Sequence, residues 1–132
     1  MAVVVKIGGA RAVEPKGALE DIAVLREDDT DVVVVHGGST AVDEALERMG
    51  IEPEYVETPS GVVGRFTDSE TMDVFKMAMA GRVNTDLVTG LQKHGVDAVG
   101  LSGVDGGLFT GARKSAVRVI GVGKKKIRRG EH

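Results

Sequence analysis

Two short runs of branched aliphatic residues, each cut off by a pair of glycines, constrain this chain more than anything else in it. Ala2–Ile7 runs into Gly8-Gly9, and Val32–Val35 runs through His36 into Gly37-Gly38. β-Branched residues favour extended chain. Because the runs are continuous and do not alternate with polar residues, they predict strands buried on both faces, the pattern of a parallel sheet. Helical stretches follow each run. Gly17–Arg26 carries Leu19, Ile22, Ala23 and Leu25 as an approximate stripe. The stretch after Thr40 carries Ala41, Val42, Ala45, Leu46 and Met49 and stops at Gly50. Strand, glycine turn and helix, used twice, predict an α/β fold with helices on the faces of a sheet.

The rest of the chain is less regular. Residues 51–67, with Pro53, Pro59, Gly61 and Gly64, read as irregular. Thr67-Asp-Ser-Glu70 fits a capping box and predicts a helix start. Met72, Phe75 and Met79 are its expected apolar side. Gly81 is expected to interrupt it before a second stretch with Val83, Leu87, Val88 and Leu91, ending at Gly95. Ala98–Leu101 reads as a further strand. Leu108–Phe109, Ala116–Val122 and Lys125–Arg128 read as hairpin strands.

Composition narrows the class. At 132 residues, 42% apolar and 28% charged, the chain is one globular domain. The absence of cysteine excludes disulfides, thiolate zinc sites and thiol catalysis. One Tyr, three Phe and no Trp argue against stacking on single-stranded nucleic acid. No apolar run is long enough for a membrane span and Met1–Lys6 is no signal peptide, so a cytoplasmic protein with no membrane partner is expected. Charge is split. Residues 1–112 carry 9 Lys/Arg against 19 Asp/Glu, and residues 113–132 carry 8 against one. The basic end is either a solvated terminus or a docking surface for an anion.

Candidate chemistry gathers at the strand ends, where α/β sheets place their ligands. Glycine lets backbone approach a ligand, and helix-start N–H groups attract anions. Gly8 and Gly9, with Lys6 just upstream, and Gly37 and Gly38, leading into a helix, are therefore candidates to hold a phosphate and a carboxylate, or simply tight turns. Lys6 is either a strand-end lysine with its head in water or a ligand for that anion. Arg65, in the glycine- and proline-rich loop, suits a carboxylate by its fork, or is a surface arginine. His36 and His94 read as backbone-bonding and helix-end histidines. Asp105-Gly-Gly107 reads as a loop. No residues pair as metal ligands, and no nucleophile–base pair for hydrolysis is evident.

Five blocks then fall in one order: Val4-Val-Lys-Ile-Gly-Gly9, Val33-Val-Val-His-Gly-Gly38, Gly64-Arg-Phe-Thr-Asp68, Met79-Ala-Gly-Arg-Val-Asn84, and Ala98-Val-Gly-Leu-Ser-Gly103 with Asp105-Gly-Gly107. In that order they resemble the N-terminal part of the amino-acid kinase family, on the acetylglutamate kinase branch. The segment Tyr55-Val-Glu-Thr-Pro-Ser-Gly-Val-Val-Gly-Arg-Phe-Thr67 is similar to the substrate loop of the carrier-protein branch, the [LysW]-aminoadipate/[LysW]-glutamate kinases.

The resemblance implies a three-layer α/β sandwich with a mainly parallel sheet, the carbamate kinase-like fold, truncated at its C-terminal end. Residues 1–132 would be the amino-acid-substrate domain, with the ATP-binding portion absent and little activity alone. It implies transfer of phosphate from ATP, with Mg2+, to the side-chain carboxylate of glutamate or aminoadipate carried on a small acidic carrier protein, in arginine or lysine biosynthesis. Carried over, Lys6 stabilises the transferring phosphoryl group. Gly37 and Gly38 donate to the substrate, Arg65 holds its α-carboxylate, and Gly8 and Gly9 lie beside the ATP phosphates. A homo-oligomer is expected, and no nucleic acid. Ser39 departs from a third glycine found in many acetylglutamate kinases. Lys124-Lys-Lys-Ile-Arg-Arg129 is a candidate surface for the acidic carrier. The alternatives are an N-acetylglutamate kinase acting on the free small molecule, and a non-catalytic anion-binding module.

Overall fold

Ala2–Ile7 and Asp31–His36 form β1 and β2, paired parallel from Ala2↔Asp31 to Ile7↔His36. The computed structural model describes residues 1–9, 15–112, 116–121 and 124–129; for the last two segments, Ile120 apart, it describes the backbone alone. Helix α1 (Lys16–Glu27) joins the two strands, and α2 (Ser39–Arg48) follows β2. Beyond residues 49–68 runs a long helical rod: α3 (Ser69–Lys76), a π-helical stretch at Met77–Asn84, and α4 (Thr85–Lys93). This is the expected α/β arrangement around a parallel pair of strands.

Two apolar clusters hold these elements. Ile7 packs with Leu19, Ile22, Leu87, Leu91 and Val96, backed by Val5, Val32 and Val34. Val42 and Leu46 of α2 pack with Val74 and Ala78. The rod therefore serves both clusters, its first half against α2 and its second half against α1 and the sheet. Met72, expected on its apolar side, is 39% exposed, and Thr71 is buried in its place.

The expectation that both faces of the strands are buried is not met. Residues alternate along β1 and β2, and the face carrying Val4, Val33 and Val35 is at least half exposed. The helices described here cover one side of the pair only. A valine run satisfies either arrangement, so the pattern could not distinguish them.

Helix ends follow local chemistry. Asp68 caps α3, its carboxylate accepting from the Thr71 N–H at 2.8 Å. The cap lies one residue beyond Thr67, whose hydroxyl turns back to the Arg65 carbonyl at 3.4 Å. Gly81 does not interrupt the rod, which continues through it as wider turns. Helices α1, α2 and α4 all end in a Schellman closure, in which Thr30, Ile51 and Val96 N–H groups return to the Leu25, Leu46 and Leu91 carbonyls. Gly50 and Gly95 supply the positive φ that this closure needs, but in α1 the position is Asp29, at φ 56°.

Residues 51–67 are less irregular than expected. Tyr55–Glu57 (β3) and Val63–Arg65 (β4) form an antiparallel hairpin with Tyr55 opposite Arg65. Thr58 closes it, with its N–H donating to the Val62 carbonyl at 2.9 Å and its hydroxyl accepting from the Val62 N–H at 3.2 Å. Ala116–Gly121 (β5) and Lys124–Arg129 (β6) form the expected hairpin and extend this second sheet in the order β4-β3-β5-β6. Leu108–Phe109 is not a strand, and Phe109 is largely exposed.

Ala98–Leu101 is not a strand either. Ala98, Val99 and Leu101 instead line a cavity of about 370 Å³ together with Val32, Val34, Leu87 and Val96. Asn84 fills the space where a Gly100 side chain would stand, 2.6 Å from the ideal Cβ. No helix among the described residues is long and apolar enough to cross a membrane.

Candidate functional site

The two glycine pairs are brought into direct contact, backbone on backbone. A Cβ placed on Gly9 would lie 2.0 Å from the Gly38 nitrogen and 2.4 Å from the Gly37 carbonyl carbon, closer than any side chain tolerates. Only glycine permits this approach. The junction is stitched by three bonds. Gly37 N–H donates to the Ile7 carbonyl at 2.9 Å, Thr40 N–H to the Gly9 carbonyl at 3.2 Å, and the Ser39 hydroxyl to the same carbonyl at 3.3 Å. Ser39, the departure from the third glycine, is thus a stitch between the turns.

Helix α2 starts from this junction, with Gly38 as its N-cap and Gly38 O accepting the first helical bond from Val42 N–H. The Gly37 N–H is spent on Ile7. Among the described residues no acceptor takes the Gly38 N–H. Gly38 and the first turn of α2 line one hollow of about 360 Å³, at the positive end of the helix dipole. Gly8, Gly9, Gly37, Gly38 and Thr40 line it together with Arg82, which is paired to Glu44 at 3.2 Å, and Asp86. The helix N-terminus favours an anion at its end of the hollow, while Glu44 and Asp86 line it against a single cation, Arg82.

Arg65 sits at the first turn of the same helix. Its Nη2 donates to the Ser39 carbonyl at 3.0 Å, to the Tyr55 hydroxyl at 3.1 Å and to Asp43 Oδ1 at 2.6 Å, while Nε donates to Asp43 Oδ1 at 3.1 Å. The Tyr55 hydroxyl donates to the other oxygen of Asp43 at 2.7 Å. The guanidinium also lies 5.5 Å from the Tyr55 ring centroid. Accepting that phenol proton, the Asp43 carboxylate holds Tyr55 above its ordinary pKa, with desolvation adding in the same direction. The arginine side chain is 9% exposed, so it is a built-in group and not a loose surface cation.

Lys6 is placed differently. It is exposed on the open face of β1, opposite Val35, and does not line the glycine hollow. Of the sequence candidates, the structure therefore joins Gly8, Gly9, Gly37 and Gly38, sets Arg65 one residue from them through Ser39, and leaves Lys6 one residue beyond the junction on the other side of the strand. His36 contacts the Gly37 carbonyl through Nδ1 at 3.2 Å, the backbone role expected of it. Asp105 accepts from the Ser102 N–H at 2.6 Å and hydroxyl at 2.7 Å, which lowers its pKa and closes a loop.

Sequence reading missed Asp43, Tyr55, Arg82 and Glu44 as site residues. Asp43 lies four residues past Ser39, one helical turn, and Tyr55 is the cross-strand partner of Arg65. Both follow once α2 and the β3–β4 hairpin are drawn. Among the described residues no group of three or more His, Cys, Asp or Glu could hold a metal ion.

Known proteins of similar sequence point to one family. The model described as "Amino acid kinase family" matches residues 1–129. The chain is 42% identical over 130 residues to the "[LysW]-aminoadipate kinase" of Thermus thermophilus, covering 98% of this chain and 48% of that protein. It is 41% identical to the protein of the same name from Deinococcus radiodurans, covering 98% and 44%. It is 42% identical to the "[LysW]-aminoadipate/[LysW]-glutamate kinase" of Metallosphaera sedula, covering 95% and 47%. The chain spans about half the length of the curated relatives it matches.

Proposed function

This chain belongs to the amino acid kinase family, and from that premise we propose that it forms the amino-acid side of a kinase that phosphorylates a side-chain carboxylate. The observation that carries the reading is the hollow at the α2 N-terminus, with an open Gly38 N–H and the built-in Arg65 one residue away. The substrate is glutamate or aminoadipate presented on a small acidic carrier, the reading favoured by the relatives' names and by the Tyr55–Thr67 loop. The product is an acyl phosphate. The nucleotide is ATP, held chiefly by the half of the relatives' length that this chain does not span.

The chemistry asks little of the protein beyond placement. The carboxylate is already ionised at neutral pH. Its oxygen attacks the terminal phosphorus of ATP, a new O–P bond forms, the bridging P–O bond breaks, and ADP leaves with the electron pair. No proton moves, so no general base is needed, and catalysis rests on alignment and on neutralising charge. In this reading Arg65 holds the substrate α-carboxylate, and Gly37 and Gly38 form the wall that receives the reacting end, with the Gly38 N–H as donor. Gly8 and Gly9 lie along the nucleotide phosphates. Lys6, carried on the open face of β1 and not in the hollow, serves the transferring group only if that group sits across the strand ends on its own side. The described residues offer magnesium no carboxylate cluster. Its ligands here would be the nucleotide phosphates, whose charge it would offset.

A three-layer sandwich belongs to the same proposal, since the open Val4, Val33 and Val35 face is then the place for the third layer. The edge strand β6, five of whose six residues are Lys or Arg, is the proposed surface for the acidic carrier. A hydroxylamine trap for acyl phosphate tests the reaction. With Mg-ATP, the protein spanning the relatives' full length is expected to give hydroxamate with carrier-linked aminoadipate or glutamate. Equal turnover of free acetylglutamate would move the assignment to the small-molecule kinase. No hydroxamate from any carboxylate, in a protein shown to be folded, would overturn the reading.

A further inference from the structure

We propose that Asp43 and Tyr55 are positioning residues that hold the Arg65 guanidinium in one orientation for an incoming carboxylate. This rests on the reading of Arg65 as the substrate-carboxylate ligand. Asp43 takes one edge of the fork, receiving both Nε and Nη2 on the same oxygen, at 3.1 and 2.6 Å. Tyr55 ties the other Asp43 oxygen at 2.7 Å and accepts from Nη2 at 3.1 Å. The Ser39 carbonyl fixes Nη2 against the first turn of α2. Three elements, α2, β3 and β4, thus converge on one planar group whose side chain is 9% exposed. Among the described residues no acceptor takes Nη1, so that end is the one left to a ligand.

The alternative role of Asp43 predicts the opposite sign. A carboxylate beside Arg65 also competes with an incoming anion for its charge. If competition were its effect, removing Asp43 would tighten anion binding. If orientation is its effect, removal weakens binding, because an arginine freed to rotate must be ordered again each time a ligand binds. Asp43→Asn separates the two further. It keeps an oxygen to accept from Nε and Nη2 but removes the charge, and Tyr55 can turn its hydroxyl to accept from the new amide.

The test uses the 132-residue chain, with two readouts on one set of variants. The first is the Arg65 Nε–H resonance and its exchange with water, which reports whether the guanidinium is held. The second is the affinity for carrier-linked aminoadipate or glutamate by calorimetric titration. The expected result is a slow-exchanging Arg65 signal in the wild type. In Asp43→Ala that protection is lost and affinity falls about tenfold. In Asp43→Asn the signal is kept and affinity stays within about threefold, and Tyr55→Phe falls between. Tighter binding by Asp43→Ala would overturn the proposal in favour of competition. So would loss of the Arg65 signal without any change of affinity, which would leave the cluster a purely structural clasp. If the wild type and Arg65→Ala were alike in failing to bind, the reading of Arg65 as a carboxylate ligand would fall first, and the positioning role with it. A thermal melt on each variant confirms that the comparison is made between folded proteins.

Discussion

The glycine junction and the arginine clasp are neighbours at the start of α2, yet they are built from opposite materials. In the junction, Gly9 and Gly38 touch through backbone alone, with no room for a Cβ. In the clasp, Arg65, Asp43 and Tyr55 meet through side-chain ends drawn from three elements. A backbone-built site has donors that cannot rotate away, but it tolerates no change of residue. A side-chain-built site tolerates substitution, but its geometry is only as good as the partners that hold it. The proposed division of labour follows. The rigid junction faces the reacting end, where small displacements cost most, and the clasp grips the remote carboxylate.

The largest expected effect breaks the junction. Gly9→Ala drives a methyl into Gly38 backbone and should cost about 3 kcal/mol in urea denaturation. Gly38→Ala sharpens the point, because the nearest neighbours of its Cβ would be side chains, the flexible Met79 with its sulfur at 2.5 Å and Val83 Cγ2 at 3.1 Å. A cost of about 1 kcal/mol is expected there, since methionine can move aside. Equal costs at the two positions would contradict the claim that backbone contact is what makes Gly9 indispensable.

The cap at α3 is a weaker device of the clasp's kind, a side chain serving backbone. Asp68→Ala should cost about 1 kcal/mol. The Thr71 N–H and hydroxyl hold the Asp68 pKa below its ordinary 3.8. A carboxylate whose folded pKa is depressed stabilises the fold above the unfolded value. That contribution is lost as pH falls through the folded one. Asp68→Asn keeps a capping oxygen without the titration. Its stability should therefore decline less than the wild type's as pH drops below about 4, in melts across that range. The smallest effect runs the other way. Asp29→Gly relieves a positive φ and should raise stability by about 0.5 kcal/mol.

The two regions also differ in how far the sequence announced them. Glycines that end valine runs mark the junction because no other residue allows such contact, so Gly8, Gly9, Gly37 and Gly38 stood out at once. Arg65 stood out for its loop, but its partners did not, because Asp43 and Tyr55 acquire meaning only from a helical turn and a hairpin register. The hairpin itself was hidden by Pro59 and Gly61, which mark its turn as readily as they mark an irregular loop. The elements β1, α1, β2 and α2 were legible from hydrophobic period. The open face of the sheet was not, since valine serves a one-sided sheet and a two-sided one equally. Nor was the course of Ala98–Leu101, which forms no strand.

The most direct test of the central claim is a titration of the isotope-labelled 132-residue chain with carrier-linked aminoadipate or glutamate, following the Gly38 amide and the Arg65 Nε–H together. Both signals should move with one affinity, the junction sensing one end of the ligand and the clasp the other. Movement confined to residues around the cavity beside β2, or none at either group in a folded protein, would contradict the account.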